Sequence, residues 1–132
     1  MWGYISDDSF RLRRRLQQRY KFLKLDVHGF ECADGWLPLI EEMCIKLDAI
    51  VKRDHIRFSI HRIREKDGRL GFFHNGTDAV YEIIDEARTK ASQTCEQCGQ
   101  PGELRYKAGW YWTECDTCLM IRYLDESLKY PK

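Results

Sequence analysis

Cys95-Glu-Gln-Cys98 and Cys115-Asp-Thr-Cys118 put four thiols into two Cys-x-x-Cys pairs with sixteen residues between them. That spacing falls in the window of a four-cysteine zinc site. Two thiolates in one tight knuckle reach the same tetrahedral ion, and a second knuckle completes the shell at about 2.3 Å per Zn–S bond. Gly99, directly after the first pair, supplies the backbone freedom such a turn needs. Four sulfurs leave no position for water or substrate, so the expected role of the ion is structural. Iron is the main competitor for the same ligands. Redox-active pairs would need a thioredoxin-like βαβ setting, which the flanking sequence lacks, and a pair of disulfides does not suit a reducing compartment.

Other reactive residue types are more dispersed. Cys44 lies on an apolar helical stripe and reads as a core thiol, while Cys32 falls in a connection beside Glu31. A Cys32–Cys44 disulfide is the alternative, disfavoured on compartment grounds. Asp54-His55, then a hairpin, then His74-Asn75 before a helix, follows the order of a ββα-metal nuclease, in which histidine activates water beside a divalent ion. The hairpin supplies no second convincing ligand set. Ser59 with His61 is too common a pairing to signal a nucleophile. No phosphate-cradling glycine loop and no paired-carboxylate motif is present, so the sequence reads as that of a non-enzyme.

The elements that must position the cysteines can be read from periodicity. Leu12, Leu16, Tyr20 and Leu23 recur at spacings of four, four and three, predicting a helix over 9–24 with arginines on both flanks and Asp7 or Asp8 at its start. Residues 25–33 read as a connection. Asp34 is the expected cap of a second helix, with Pro38 in its first turn and a stripe through Trp36, Ile40, Met43, Cys44, Leu47, Ile50 and Val51. Ile56, Phe58 and Ile60 alternate with polar residues as a half-buried strand, and Asp67-Gly68 turns the chain into a second strand through Leu70 and Phe72. Thr77 or Asp78 starts a third helix, whose stripe is Val80, Ile83, Ile84, Ala87 and Ala91. Glu103–Lys107 and Trp110–Glu114 read as two ribbon strands around Ala108-Gly109. The tail from Met120 forms a short helix with Ile121, Leu124 and Leu128 on one side, expected to dock as a lid on the ribbon. The class is therefore α+β: a small helix-helix-hairpin-helix domain over 1–93, then a C-terminal zinc ribbon with a short helical tail over 94–132.

Composition narrows the partners. Of 132 residues, 43% are hydrophobic and 33% charged, which provides a core and excludes a disordered chain. The longest apolar run, Trp36 to Ile40, is far too short for a membrane span, and the first residues lack a secretory signal's apolar stretch. The expectation is a cytoplasmic protein without membrane contact. Net charge is +1, yet residues 1–24 carry seven basic side chains against two acidic ones, leaving the remaining residues at −4. Candidate partner-binding residues are Arg11, Arg14 and Arg15 on the first helix, and Arg105, Lys107, Trp110 and Trp112 on the ribbon. Alternation sends Trp110 and Trp112 to one face and Tyr111 to the other. The competing reading is that one ribbon face packs on the α+β domain and hides its aromatics, while the arginines flank a buried stripe or pair with the acidic body.

The block Cys95-Glu-Gln-Cys98-Gly99-Gln-Pro101-Gly102-Glu-Leu104-Arg105, then Gly109-Trp110 and Cys115-Asp-Thr-Cys118, resembles small uncharacterised bacteriophage and prophage proteins. Gly35-Trp36 and Glu65-Lys66-Asp67-Gly68-Arg69-Leu70-Gly71-Phe72-Phe73 share in the resemblance, which covers about residues 34–118. It implies a bacterial host cytoplasm and an accessory role, and it carries over no catalytic residue. The leading expectation is a non-catalytic, Zn2+-stabilised adaptor or inhibitor of a bacterial protein, directed at host or defence machinery if phage-encoded. A nucleic-acid-binding module is the alternative. A metal-dependent nuclease using Asp54, His55 and His74 is the second alternative.

Overall fold

The computed structural model describes residues 6–129, and side chains as far as residue 125. Four helices and two small sheets make an α+β chain: α1 (Asp7–Arg19), β1 (Phe30–Glu31), a 3-10 turn (Asp34–Trp36), α2 (Leu37–Asp54), β2 (Ile60–Lys66), β3 (Arg69–His74), α3 (Asp78–Ala91), β4 (Glu103–Lys107), β5 (Trp110–Glu114) and α4 (Asp116–Lys129). One sheet has the order β1-β2-β3 and the other is the β4-β5 pair. Trp36, at the end of the 3-10 turn, and the α2 stripe through Ile40, Met43 and Leu47 join Ile60 and Ile63 of the sheet and Val80, Ile84 and Ala87 of α3 in one buried cluster.

Several expectations are corrected. Ser6, rather than Asp7 or Asp8, caps α1, its hydroxyl accepting the Ser9 amide at 3.1 Å. The helix stops at Arg19 instead of reaching Lys24. Tyr20 and Leu23 are still buried, because the chain beyond the helix turns at Lys21-Phe22 and bridges to the start of β2: the Ile60 amide donates to the Phe22 carbonyl and the Lys24 amide to the Ile60 carbonyl. The supposed connection 25–33 contains β1, parallel to β2, with Phe30 opposite Ile63. A strand of two residues is too short to show a periodicity.

The first long strand begins at Ile60, not Ile56. Opposite Ile60 stands His74, and Ser59 bonds to Asn75, where the chain leaves the sheet for α3, so residues 56–58 have no strand to pair with. His55 ends α2 in the left-handed conformation (φ 54°) rather than opening a strand. A bulge between Ile60 and Arg62 then rephases β2, which brings both Ile60 and Ile63 to the core. At the tip, Asp67 and Gly68 take φ of 51° and 81°, the pair of positive values that a two-residue hairpin of this twist requires.

Arg13 is the residue whose role the sequence did not show. Read as one more flanking cation, it is only 6% exposed. Its guanidinium donates to the Ser9 hydroxyl (2.8 Å), the Phe30 carbonyl (2.8 Å), the Cys32 carbonyl (2.7 Å) and the Asp34 carboxylate (3.2 Å). Asp34, the expected helix cap, spends its carboxylate on Arg13 and on the Ser6 amide instead. Burial acts to raise the Asp34 carboxyl, but hydrogen bonds from Ser9, the Ser6 amide and Arg13 hold it below the ordinary 3.8.

Arg13→Met should lower stability by about 3 kcal/mol in chemical denaturation, since it strands two buried carbonyls and a carboxylate; Arg14→Ala, on the exposed side of α1, should leave the midpoint in place. The Asp34 contribution is full above its unfolded value and is lost as pH falls through the lower folded one. The stability gap between the native chain and Asp34→Asn should therefore shrink on acidification below about pH 4.

Candidate metal centre

The four cysteines converge. Cys95 and Cys98 sit in the turn after α3, Cys115 follows β5, and Cys118 lies in the first turn of α4. Their sulfurs all lie within 4.8 Å of one another, with Cys98 and Cys115 at 3.6 Å. A tetrahedral ion with Zn–S bonds of about 2.3 Å sets neighbouring sulfurs about 3.8 Å apart, so the cluster has the size to hold a metal ion. Among the described residues it is the one group of three or more His, Cys, Asp or Glu side chains with that property.

Local backbone chemistry builds each knuckle. In the first, the Gly99 amide donates to the Cys95 carbonyl (2.9 Å) and the Cys95 amide to the Gln100 carbonyl (2.7 Å), with Gly99 at the expected positive φ of 81°. In the second, Cys115 occupies the position before α4 where a capping residue stands, and its sulfur accepts the Cys118 amide at 3.4 Å. That amide holds the Cys115 thiol down to about 7 from an ordinary 9.0. Burial pushes Cys98 and Cys118 the other way. Metal binding converts such thiols to thiolates and releases their protons.

The first knuckle is also keyed into the rest of the chain. The Gly35 amide donates to the Glu96 carbonyl (2.7 Å), the Ala33 amide to the Glu96 carboxylate (2.9 Å), and the Trp36 indole to the Thr94 carbonyl (2.9 Å). A side chain at Gly35 would run into the carbonyls of Cys95 and Glu96. Burial pushes the Glu96 carboxyl up to about 7 against the opposing pull of the Ala33 amide. The β4-β5 hairpin docks through Thr113, whose hydroxyl donates to the Gly68 carbonyl at 2.6 Å, and through Leu104, which closes on the same turn.

It is this Leu104–Thr113 face that meets the body, so the tryptophan face is turned away from it. Trp110 is 71% exposed, while Trp112 lies under the Arg122 guanidinium (5.2 Å) with its indole donating to Glu114 (3.0 Å). Arg105 is held by the Glu114 carbonyl and by Asp116, and Lys107 sits over the Tyr123 ring. On α1, Arg11 is exposed and pairs with Asp8 at 3.7 Å, whereas Arg14 and Arg15 are exposed without an ion-pair partner among the described residues. The tail does not form the expected lid: Met120, Ile121 and Leu124 are all exposed, and Leu128 lies outside the described side chains. α4 instead meets the ribbon through Arg122, which bonds Glu114 and covers Trp112, and through Tyr123, which lies under Lys107.

Cys32 and Cys44 are free, fully buried thiols, each raised to about 12 by burial. Asp54 is engaged by Arg53 through two hydrogen bonds, His55 is exposed, and the His74 Nδ1 accepts the Gly76 amide at 3.0 Å. These three form no metal-holding group among the described residues. No helix among the described residues is long and apolar enough to cross a membrane. Comparison with protein-family models, with curated proteins and with solved structures finds no match to this chain.

Metal analysis of the purified chain should find about one zinc per molecule, and Cys115→Ser should abolish stoichiometric loading. Gly35→Ala lies outside the ligand set, yet it should cost about 3 kcal/mol and speed metal transfer to a chromophoric chelator, because the Cβ wedges the first knuckle off its seat.

Proposed function

We propose that this chain is a zinc-stabilised, non-catalytic binding protein that acts as an adaptor or inhibitor of a bacterial protein, with Zn2+ held by Cys95, Cys98, Cys115 and Cys118 in a zinc-ribbon arrangement. The observation that carries this reading is the distribution of exposed apolar side chains. Thirteen large hydrophobic residues are exposed among the described ones, and eight of them fall between Leu104 and Leu124, on β4, β5 and α4. Concentrated apolar surface of this kind is the mark of a protein contact. Tryptophan is among the side chains that most often anchor one, and here Trp110 is 71% exposed on the face turned away from the body. Four sulfurs close the coordination shell, so the ion's contribution is to hold that surface in shape.

A phage or prophage origin, with a host or defence protein as the target in a reducing cytoplasm where the thiols stay available, belongs to this proposal and rests on the sequence resemblance alone. Arg14, Arg15 and the body's charge supply steering rather than the main contact.

Affinity capture from bacterial lysate, with and without nuclease, tests the proposal. A single protein in stoichiometric amount should survive nuclease, and a Trp110→Ala, Ile121→Ala double substitution should weaken its binding by about tenfold to a hundredfold without loss of zinc. Loss of all captured material on nuclease treatment, or binding that ignores the double substitution, would overturn it.

A further inference from the structure

A second surface is built from elements that do not carry the metal centre's cysteines. The end of α1, the segment 20–24, the end of α2 and residues 56–59 enclose an open groove of about 640 Å³. Arg19, Lys21, Lys24, Lys52 and Arg57 line it, and the one acidic side chain among its walls, Asp48, is paired with Lys52 at 2.8 Å. Arg19 and Lys52 stand in the last turns of their helices, where the dipole favours a cation whatever the function. Lys21, Lys24 and Arg57 are on no helix, are exposed, and have no ion-pair partner among the described residues. Arg14 and Arg15 on α1 are unpaired as well among the described residues, whereas Lys46 and Lys90 pair with Glu42 and Glu86; what marks the groove is that its unpaired cations line one concavity.

The groove floor decides between anionic ligands. A single-stranded nucleic acid is held by cations together with open aromatic faces on which bases stack. The rings here, Phe22 and Phe58, stack on each other at 4.9 Å and are 7% and 9% exposed, so neither offers a free face. What the floor does offer is aliphatic: Val51 and Ile56, both half-buried. The walls are preformed, since the hydrogen bonds that tie Phe22 and Lys24 to Ile60 hold the 20–24 segment in place.

We infer that this groove is a docking site for an acidic segment of a protein partner, in which one apolar side chain seats on Val51 and Ile56 while flanking Asp or Glu residues meet Lys21, Lys24 and Arg57. The inference rests on the protein-binding reading above and adds a second contact, of stated chemistry, to the ribbon surface. Charge of this kind accelerates encounter and selects against basic partners.

The test is selection of random displayed peptides of about twelve residues on the full-length zinc-loaded chain, with oligothymidine as a competing probe. Selected peptides should carry Asp or Glu beside an apolar residue, bind Trp110→Ala as well as the native chain, and bind Lys24→Glu, Arg57→Glu about tenfold or more weakly. Lys24→Arg, Arg57→Lys should restore binding. Lys21→Gln, Lys24→Gln, a milder pair, should weaken binding in the same direction, and unchanged zinc content and circular dichroism verify the fold of each variant. Peptides without acidic enrichment, acidic peptides indifferent to the charge reversal, or oligothymidine that displaces them from the groove would each overturn the inference. If the lysate partner is lost on the ribbon double substitution but kept on the groove reversal, the groove inference falls and the protein-binding reading stands.

Discussion

Between Phe30 and Trp36 the backbone is hydrogen-bonded from two sides at once, and the packing of both halves of the chain depends on it. From one side the Arg13 guanidinium takes the carbonyls of Phe30 and Cys32 and the carboxylate of Asp34, anchoring α1. From the other, the amides of Ala33 and Gly35 and the indole of Trp36 bind the chain around Cys95. A buried guanidinium with all its partners in place is tolerable, while the same group with one partner removed is a severe cost. The geometry at each end is therefore coupled: α1, the body and the first metal knuckle share one short segment.

That coupling sets what a metal ion held by the four cysteines would do for the molecule. A two-stranded ribbon buries little apolar surface and would be marginal in isolation. Here the ion would close a unit whose first knuckle is itself seated on the body through Glu96, with the hairpin seated through Thr113 and Leu104. The ribbon's tryptophan face and α4 are left projecting with much of their apolar surface uncovered. Rigid support under exposed aromatic side chains is what a protein-binding surface needs, because an anchor that is already ordered loses less entropy on binding.

Charge is allocated in the same economical way. Arginines that look alike along residues 11–19 have different fates: Arg13 is consumed by the core, Arg11 pairs locally, and Arg14 and Arg15 face outward unpaired. The basic excess of the first 24 residues continues past the helix into Lys21 and Lys24 and meets Arg57 across a groove. A near-neutral chain thus presents a local positive field without being a polycation.

The sequence by itself determined the features whose cause is local. The two Cys-x-x-Cys pairs identified all four sulfurs, because a knuckle's geometry is set within four residues. The stripes of α2 and α3 and the turns at Asp67-Gly68 and Ala108-Gly109 were legible because side-chain period and positive φ are written in neighbouring residues. The features that only the tertiary structure decided are those in which a partner comes from far along the chain. Arg13 reads like its neighbours until Phe30 and Cys32 arrive beside it, and β1 is too short to be periodic until β2 supplies its hydrogen bonds. Residues 56–58 continue the alternation of a strand but have no strand opposite them, since β3 ends at His74 and the last cross-chain bonds are those of Asn75 with Ser59. Which face of the hairpin would be hidden was undecidable from alternation, which is symmetric between faces. The hydrogen bond from Thr113 to Gly68, across 45 residues of chain, broke that symmetry and left the tryptophan face outward.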